Sequence, residues 1–237
     1  MFSLDVEQPE EVEAPLIDVT GVTFTYPGPP RVNALRGVTL KVQQGEFVAI
    51  MGPSGSGKST LLNVLGLLDR PSSGIYRLAG KDVSTLDDRA RTRLRATAIG
   101  FVFQDAYVLN RLTCHANVVL PLAVQGTGRS ERSNRVAMAL RDVGLDEMEA
   151  RLAGRLSGGQ RQRLAIARAL VGNPAVLLAD EPSGNIDSGA TRAVLDVFGA
   201  LHRRGTTIVL ITHDAAVAER AGRIVMIDDG QVIEEIL

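Results

Sequence analysis

Residues 52–59 read Gly-Pro-Ser-Gly-Ser-Gly-Lys-Ser, and no other run restricts the chain so severely. Before it stands Phe47-Val-Ala-Ile-Met51, a continuous apolar run bounded by glycine. After it Leu61, Leu62, Val64, Leu65 and Leu68 recur at helical spacing, up to an expected end at Pro71 and Gly74. A strand apolar at every position is covered on both faces, which is the condition of a parallel sheet between helices. The spacing G-x-x-x-x-G-K-[ST] between such a strand and a helix is that of a phosphate-binding loop. Glycines Gly52, Gly55 and Gly57 let backbone N–H groups curl around phosphates, with Pro53, Ser54, Ser56 and Thr60 completing the cradle. Lys58 brings charge to the β and γ groups, and the Ser59 hydroxyl suits Mg²⁺. A merely flexible turn has no need of Lys58-Ser59.

A second apolar run, Val176-Leu-Leu-Ala179, delivers Asp180 and Glu181 at its carboxyl end, where parallel α/β sheets bind their ligands. Buried without a cation, two adjacent carboxylates would be costly. Asp180 therefore suits Mg²⁺, and Glu181 suits orienting and deprotonating an attacking water. The competing reading is two solvated acids at a loop start, and the upstream phosphate loop weighs against it. A third apolar run, Thr207 to Thr212, ends at His213, whose imidazole could approach a γ-phosphate. Gln104 closes the run Ala98 to Phe103, and its amide could serve both a metal and a water. Tyr26, before Pro27-Gly28, offers a flat ring for a purine. Alone, a His there is more often structural, a Gln is unremarkable, and the Tyr ring has an at least equally good explanation in core or surface packing. His115, His202 and Cys114 show no ligand spacing and read as structural.

Around these motifs the organisation is α/β. Ile17, Val19, Val22 and Phe24 read as a half-buried strand in a β-rich flank from Leu16 to Ile50. From Gln104 to Pro174 the strand pattern gives way to helical spacing, so a helical segment interrupts the core. Strand and helix then alternate again, with helices expected from about Thr191 and from Asp214. A closing hairpin is expected to turn at Asp229-Gly230. The expected divisions are an acidic mobile tail over 1–15, core over 16–104, helical subdomain over 105–173 and core again over 174–237.

Inside the helical segment, Leu156-Ser-Gly-Gly-Gln160 puts two glycines where a helix begins. Ser157 and Gln160 have capping-box spacing. The same start would also gather free amides and the positive end of the helix dipole, an anion site.

With 26 Lys and Arg against 27 Asp and Glu, the net charge of −1 supplies no field for a nucleic-acid backbone, so nucleic acid is not an expected partner. Cys114 is the only cysteine, which suits a reducing compartment. The stretch Met1–Pro15 carries Glu7, Glu10, Glu11 and Glu13 in place of a basic, apolar leader. No apolar run approaches the ~20 residues of a membrane helix, so the chain is expected to be soluble on its own.

Taken in order, these motifs resemble the nucleotide-binding subunit of ATP-binding-cassette transporters over Leu16 to Leu237. The resemblance implies a P-loop NTPase (RecA-like) core with an antiparallel β flank and an inserted α-helical signature subdomain. It makes Tyr26 the adenine-stacking aromatic, Gly52–Ser59 Walker A, Gln104 the Q-loop and Leu156–Gln160 the signature. Val176–Glu181 becomes Walker B, Ser183-Gly-Asn-Ile-Asp187 the D-loop and His213 the switch histidine. It further implies ATP and Mg²⁺ as ligands, and a homodimer in which Ser157, Gly158, Gly159 and Gln160 cap ATP held by the opposite subunit. The subunit would drive a separately encoded permease from the cytoplasmic face of the membrane. Residues Met51–Pro71, Leu177–Pro182 and Gly184–Asp187 resemble the macrolide-export and lipoprotein-release branch. The chain departs from that branch with Ala116 at a commonly acidic position and Ile186 where Leu is frequent. Apolar residues in Tyr107–Leu109 and Leu112–Val118 mark the expected permease contact. The alternatives are a soluble ATPase of the same type acting in regulation or DNA repair, and a nucleotide-binding module without turnover. Neither coiled-coil insertions nor zinc cysteines nor a basic stripe favours the first, and Glu181 with His213 disfavours the second.

Overall fold

The computed structural model describes residues 14–236. The acidic tail expected over 1–15 therefore lies almost wholly outside the described residues.

The described chain opens with an antiparallel ribbon, β1 (Ile17–Tyr26) and β2 (Val32–Val42). In β1 the buried residues are Ile17, Val19, Val22 and Phe24. The step from Val19 to Val22 breaks strict alternation because the register shifts there, at Gly21 with φ +60°. This irregularity returns Val22 to the buried face. The chain then crosses to β3 (Phe47–Met51), the phosphate loop and α1 (Lys58–Leu65). β4 (Ser73–Leu78) and β5 (Lys81–Asp82) return to the ribbon, giving a four-stranded sheet ordered β2-β1-β4-β5.

After α2 (Asp88–Ala98) and β6 (Ile99–Val102) comes the helical segment: α3 (Cys114–Val118), α4 (Leu120–Val124), α5 (Arg129–Asp142) and α6 (Gly158–Leu170). β7 (Val176–Asp180), α7 (Ser188–Arg203), β8 (Thr207–Ile211), α8 (Ala215–Ala218) and the hairpin β9 (Arg223–Asp228) and β10 (Gln231–Ile236) complete the order. The second sheet is six-stranded, β10-β9-β3-β8-β7-β6, parallel except for β10.

The unbroken apolar runs of its central strands divide by alternate residues between two cores. Val48, Ile50, Val176, Leu178, Val209 and Ile211 pack with α1 and the antiparallel sheet. Phe47, Leu177, Ala179, Ile208 and Leu210 pack with α7 and the helical segment. No helix among the described residues is long and apolar enough to cross a membrane.

Four details differ from the sequence reading. Helix α1 stops at Leu65, where the backbone leaves helical conformation at Gly66 (ψ 2°) and Leu67 turns to φ +56°. Ser73–Leu78, read as following a helix end, is a strand held by pairing with β1. Helix α2 turns only Leu94 and Ala98, both partly buried, toward the core; Asp87 caps it and Arg91 is its one fully buried residue. Helix α7 begins at Ser188, with Asp187 accepting from the Ala190 amide.

Candidate functional site

Strands β3, β8, β7 and β6 are consecutive and parallel, so they deliver four loops to one edge of the sheet. The phosphate loop leaves β3, His213 follows β8, Asp180 and Glu181 end β7, and Gln104 follows β6. Together with the start of β2 they border a cleft of about 910 Å³.

The loop is built around glycine for two distinct reasons. At Gly52 a Cβ would lie 2.0 Å from the Ile227 carbonyl oxygen, and at Gly57 2.4 Å from that of Ala34, so close backbone approach excludes a side chain. Gly55 has open space around it and needs glycine only for φ +81°. The N-terminus of α1 has Gly57 as its cap residue and no side-chain cap, which leaves first-turn amides available to an anion. Lys58 Nζ donates to the carbonyls of Gly52 (2.8 Å) and Pro53 (2.7 Å), arched back over its own loop. Ser54, Gly55, Gly57, Lys58, Ser59 and Thr60 face the cleft; Gly52, Pro53 and Ser56 do not line it, Pro53 being exposed and Ser56 buried. Among the described residues the buried Ser56 Oγ has no hydrogen-bond partner. Uncapped amides, a cation and a curled glycine backbone fit a polyphosphate.

The carboxylates of β7 differ in environment. Burial, then the neighbouring Glu181 charge, raise the Asp180 carboxyl above its ordinary pKa, and Lys58 opposes them. Such a group gains from a cation. Among the described residues no cluster of three or more His, Cys, Asp or Glu could hold a metal. A divalent cation here would therefore take Asp180, Ser59 and Gln104 together with phosphate oxygens, the sparse protein ligation usual for Mg²⁺. Glu181 adopts φ +45°, uncommon outside glycine, and is fixed there by its N–H bond to the Ile211 carbonyl (2.9 Å). Its Oε1 lies 2.7 Å from His213 Nδ1. That hydrogen bond, and then the Glu181 charge, raise the histidine pKa above 6.5.

Tyr26 lies at the far wall, its ring edge-on to Phe24 at 4.8 Å and its hydroxyl 3.1 Å from Thr60 Oγ1. The Thr60 hydroxyl is thus engaged with Tyr26. Arg31, Asn33, Arg36, Asp229 and Gly230 also line the cleft, and sequence reasoning missed them. Arg36 pairs with Asp229, and the Gly230 amide donates to the Ser56 carbonyl at 2.9 Å. Asp229-Gly230 was legible as a turn, but nothing local places that turn against the phosphate loop.

Ser157, Gly158, Gly159 and Gln160 stand apart from this cleft. They form the expected capping box, with Gln160 N donating to Ser157 Oγ (3.3 Å) and Ser157 N to Gln160 Oε1 (2.9 Å). The two glycines are not equivalent. A Cβ at Gly159 would lie 2.5 Å from Ala190 Cβ, so packing against α7 demands that glycine; at Gly158 it would meet only Ile186, at 3.3 Å.

Helix α6 also grips the segment after β6. Buried Gln162 donates to the Phe103 carbonyl (2.8 Å), and Arg168 donates to those of Ala106 (2.8 Å) and Tyr107 (2.7 Å). Gln104 is held between these anchors. The signal for Gln162 was a polar residue among the apolar positions of α6. The apolar surface beyond is narrower than its sequence: Tyr107, Leu109 and Leu112 are exposed, but Cys114, Asn117 and Val118 are buried. Of the residues read as structural, His115 bonds Glu149 (2.6 Å) and His202 packs edge-on to Phe47.

Residues 35–184 match the family described as ABC transporter. The chain is 46% identical over 219 residues to the uncharacterized ABC transporter ATP-binding protein YknY of Bacillus subtilis, covering 92% of this chain and 95% of that protein. It is 44% identical over 220 residues to the macrolide export ATP-binding/permease protein MacB of Escherichia coli O157:H7, and spans 34% of that longer protein. The structure of MJ0796, a bacterial ABC transporter cassette solved as a dimer, superposes with a TM-score of 0.84 at 41% identity, covering 93% of this chain and 97% of the other. With its phosphate loop, paired carboxylates and helical insertion set on one parallel sheet, the chain belongs to the ABC transporter family and is an ATPase of that family.

Proposed function

We propose that this ATPase works as a homodimer around two ATP molecules and drives a separately encoded membrane permease. The observation that carries the reading is the meeting of four parallel strand ends at one cleft, with Lys58, Asp180, Glu181, Gln104 and His213 around it.

In this reading Lys58 exchanges its two loop carbonyls for β- and γ-phosphate oxygens, and the uncapped amides of α1 take the remaining phosphate charge. Ser59, Asp180 and Gln104 would hold Mg²⁺, which would supply neutralisation of the phosphate charge. Tyr26 stacks on the adenine. Glu181 orients the attacking water and takes its proton, while His213 steadies the Glu181 carboxylate and faces the γ-phosphate.

Ser157, Gly158, Gly159 and Gln160 cap the ATP of the partner subunit. Their distance from the cleft of their own chain supports this, as does the dimeric state of MJ0796. The permease reading is supported by relatives named as ATP-binding/permease proteins, of which this chain spans a third, and by YknY, whose length it nearly matches. Such an assembly sits at the inner face of the cell membrane, its permease contact on exposed Tyr107, Leu109 and Leu112.

Replacing Glu181 by Gln tests the assignment, because it keeps size and hydrogen bonding but removes the base. Phosphate release should fall ~10²–10⁴-fold while ATP binding survives. Near-normal turnover would move the base elsewhere, with His213 the next candidate.

A further inference from the structure

Asn and Gln amides have two ends that look alike, and the polarity of a hydrogen-bond chain through them is fixed only if one member is unambiguous. Beside the cleft such a chain exists. Asn185 Nδ2 donates to Asp105 Oδ1 at 2.8 Å, and Gln104 Nε2 donates to Asn185 Oδ1 at 3.3 Å. An ionised carboxylate only accepts, so Asp105 obliges Asn185 to turn its NH₂ toward it. Asn185 then presents oxygen, which obliges Gln104 to present nitrogen. Among the described residues no protein group donates to the remaining atom, Gln104 Oε1. An amide oxygen, not its nitrogen, is what a hard divalent cation accepts as ligand.

A second observation confines the same side chain. A Cβ on Gly184 would lie 2.7 Å from Gln104 Nε2 and 3.1 Å from its amide carbon. The absence of a side chain at 184 is thus what lets the Gln104 amide lie across that backbone and reach Asn185. Gly184 has no positive φ, so this closeness is the specific constraint upon it.

We propose that Asp105, Asn185 and Gly184 are positioning residues that fix the Gln104 amide with its oxygen free for the Mg²⁺ of the ATP site. The relay joins the loop after β6 to the loop before α7, so an Asn185 displacement also releases the amide of Gln104. The assignment rests on Gln104 being a metal ligand, as proposed above.

The test uses the full chain with a non-hydrolysable ATP analogue and Mn²⁺ as the probe, its affinity read by electron paramagnetic resonance. Gln104→Ala sets the size of the ligand's own effect. Asn185→Asp, which faces one carboxylate with another, should weaken Mn²⁺ about tenfold, toward the Gln104→Ala value. Asp105→Asn alone removes the polarity-setting charge and should weaken it severalfold. Combining Asp105→Asn with Asn185→Asp puts an acceptor-only group at 185, facing Gln104 Nε2, and should restore affinity. Gly184→Ala collides only with the end of a flexible side chain, so the protein should fold normally and still lose Mn²⁺ affinity.

Unchanged affinity in Gln104→Ala would overturn the ligand assignment and the relay with it. Weakened binding in Gln104→Ala with no effect of Asn185→Asp or Gly184→Ala would overturn the relay alone. Failure of the paired exchange to recover, in a folded protein, would show that polarity is not what Asp105 sets.

Discussion

Glu181 Oε1 and His213 Nδ1 stand 2.7 Å apart across the ends of neighbouring parallel strands, joining the proposed base to a largely exposed imidazole. The bond favours the protonated imidazole, so the histidine pKa rises above 6.5. The sign follows from that direction: the charged pair is complete below 6.5 and is lost as pH climbs through the raised folded-state value. In nucleotide-free protein, the His213 ring resonances should titrate above 6.5 by NMR. Glu181→Gln should bring that midpoint back toward 6.5, and an unmoved midpoint would dissolve the pair.

The shared-site reading makes a sharper demand on a pair of linked heterodimers. One carries Lys58→Ala on one chain and Gly158→Asp on the other; its counterpart carries both on one chain beside an unaltered partner. Gly158 suits this purpose better than Gly159, since the collision of Gly159 with Ala190 would confound binding with packing. If sites are shared, separated lesions leave one site whole, whereas combined lesions injure both. The separated dimer should therefore close on ATP and turn over faster. Greater activity from the dimer with both lesions on one chain would overturn the arrangement.

Arg168 binds two carbonyls, one belonging to Tyr107, whose φ of +44° is costly for a bulky residue. Burial lowers the guanidinium pKa, though the group stays charged. Arg168→Leu strips both carbonyls of their donor and removes the restraint on Tyr107. A stability loss of about 1–3 kcal/mol is expected by denaturant unfolding. Arg168→Lys, lacking the fork, should recover only part of it. Equal stability in all three proteins would refute the anchoring role.

For the permease, Leu109→Asp is the informative change, because Leu109 is exposed and lies outside the ATP cleft. The isolated subunit should keep its ATPase rate. Co-purification with the permease and transport should both weaken, and an unaltered complex would relocate the contact.

What could be read in the sequence was what is encoded by neighbours along the chain. Gly52–Ser59 between a buried strand and a helix, or two acids after Val176–Ala179, carries its meaning within a few residues. The signature was equally local, its capping box spelled by Ser157 and Gln160. Helix α2 escaped because its one fully buried residue is an arginine and only Leu94 and Ala98 face the core, among four arginines, leaving too weak a period to detect. β4 escaped because its strand state comes from β1, over fifty residues earlier, while Gly74 reads locally as a stop. The contacts of Asp229 and Gly230 with Arg36 and Ser56 span most of the chain, and the Gln104–Asn185 bond spans 81 positions.

The order β9-β3-β8 has a consequence for how the protein is made. The phosphate loop hangs from β3, yet both strands flanking β3 come from residues 207–228. A growing chain extruded only through α7 holds its most informative motif on a strand with neither hydrogen-bonding neighbour. Such distant pairing is slow to close, and the unpaired apolar strand is the part exposed meanwhile. ATP cannot act as an early folding template here. During synthesis the nucleotide site comes into being late and at once, when β8 and β9 emerge and close upon β3 from either side.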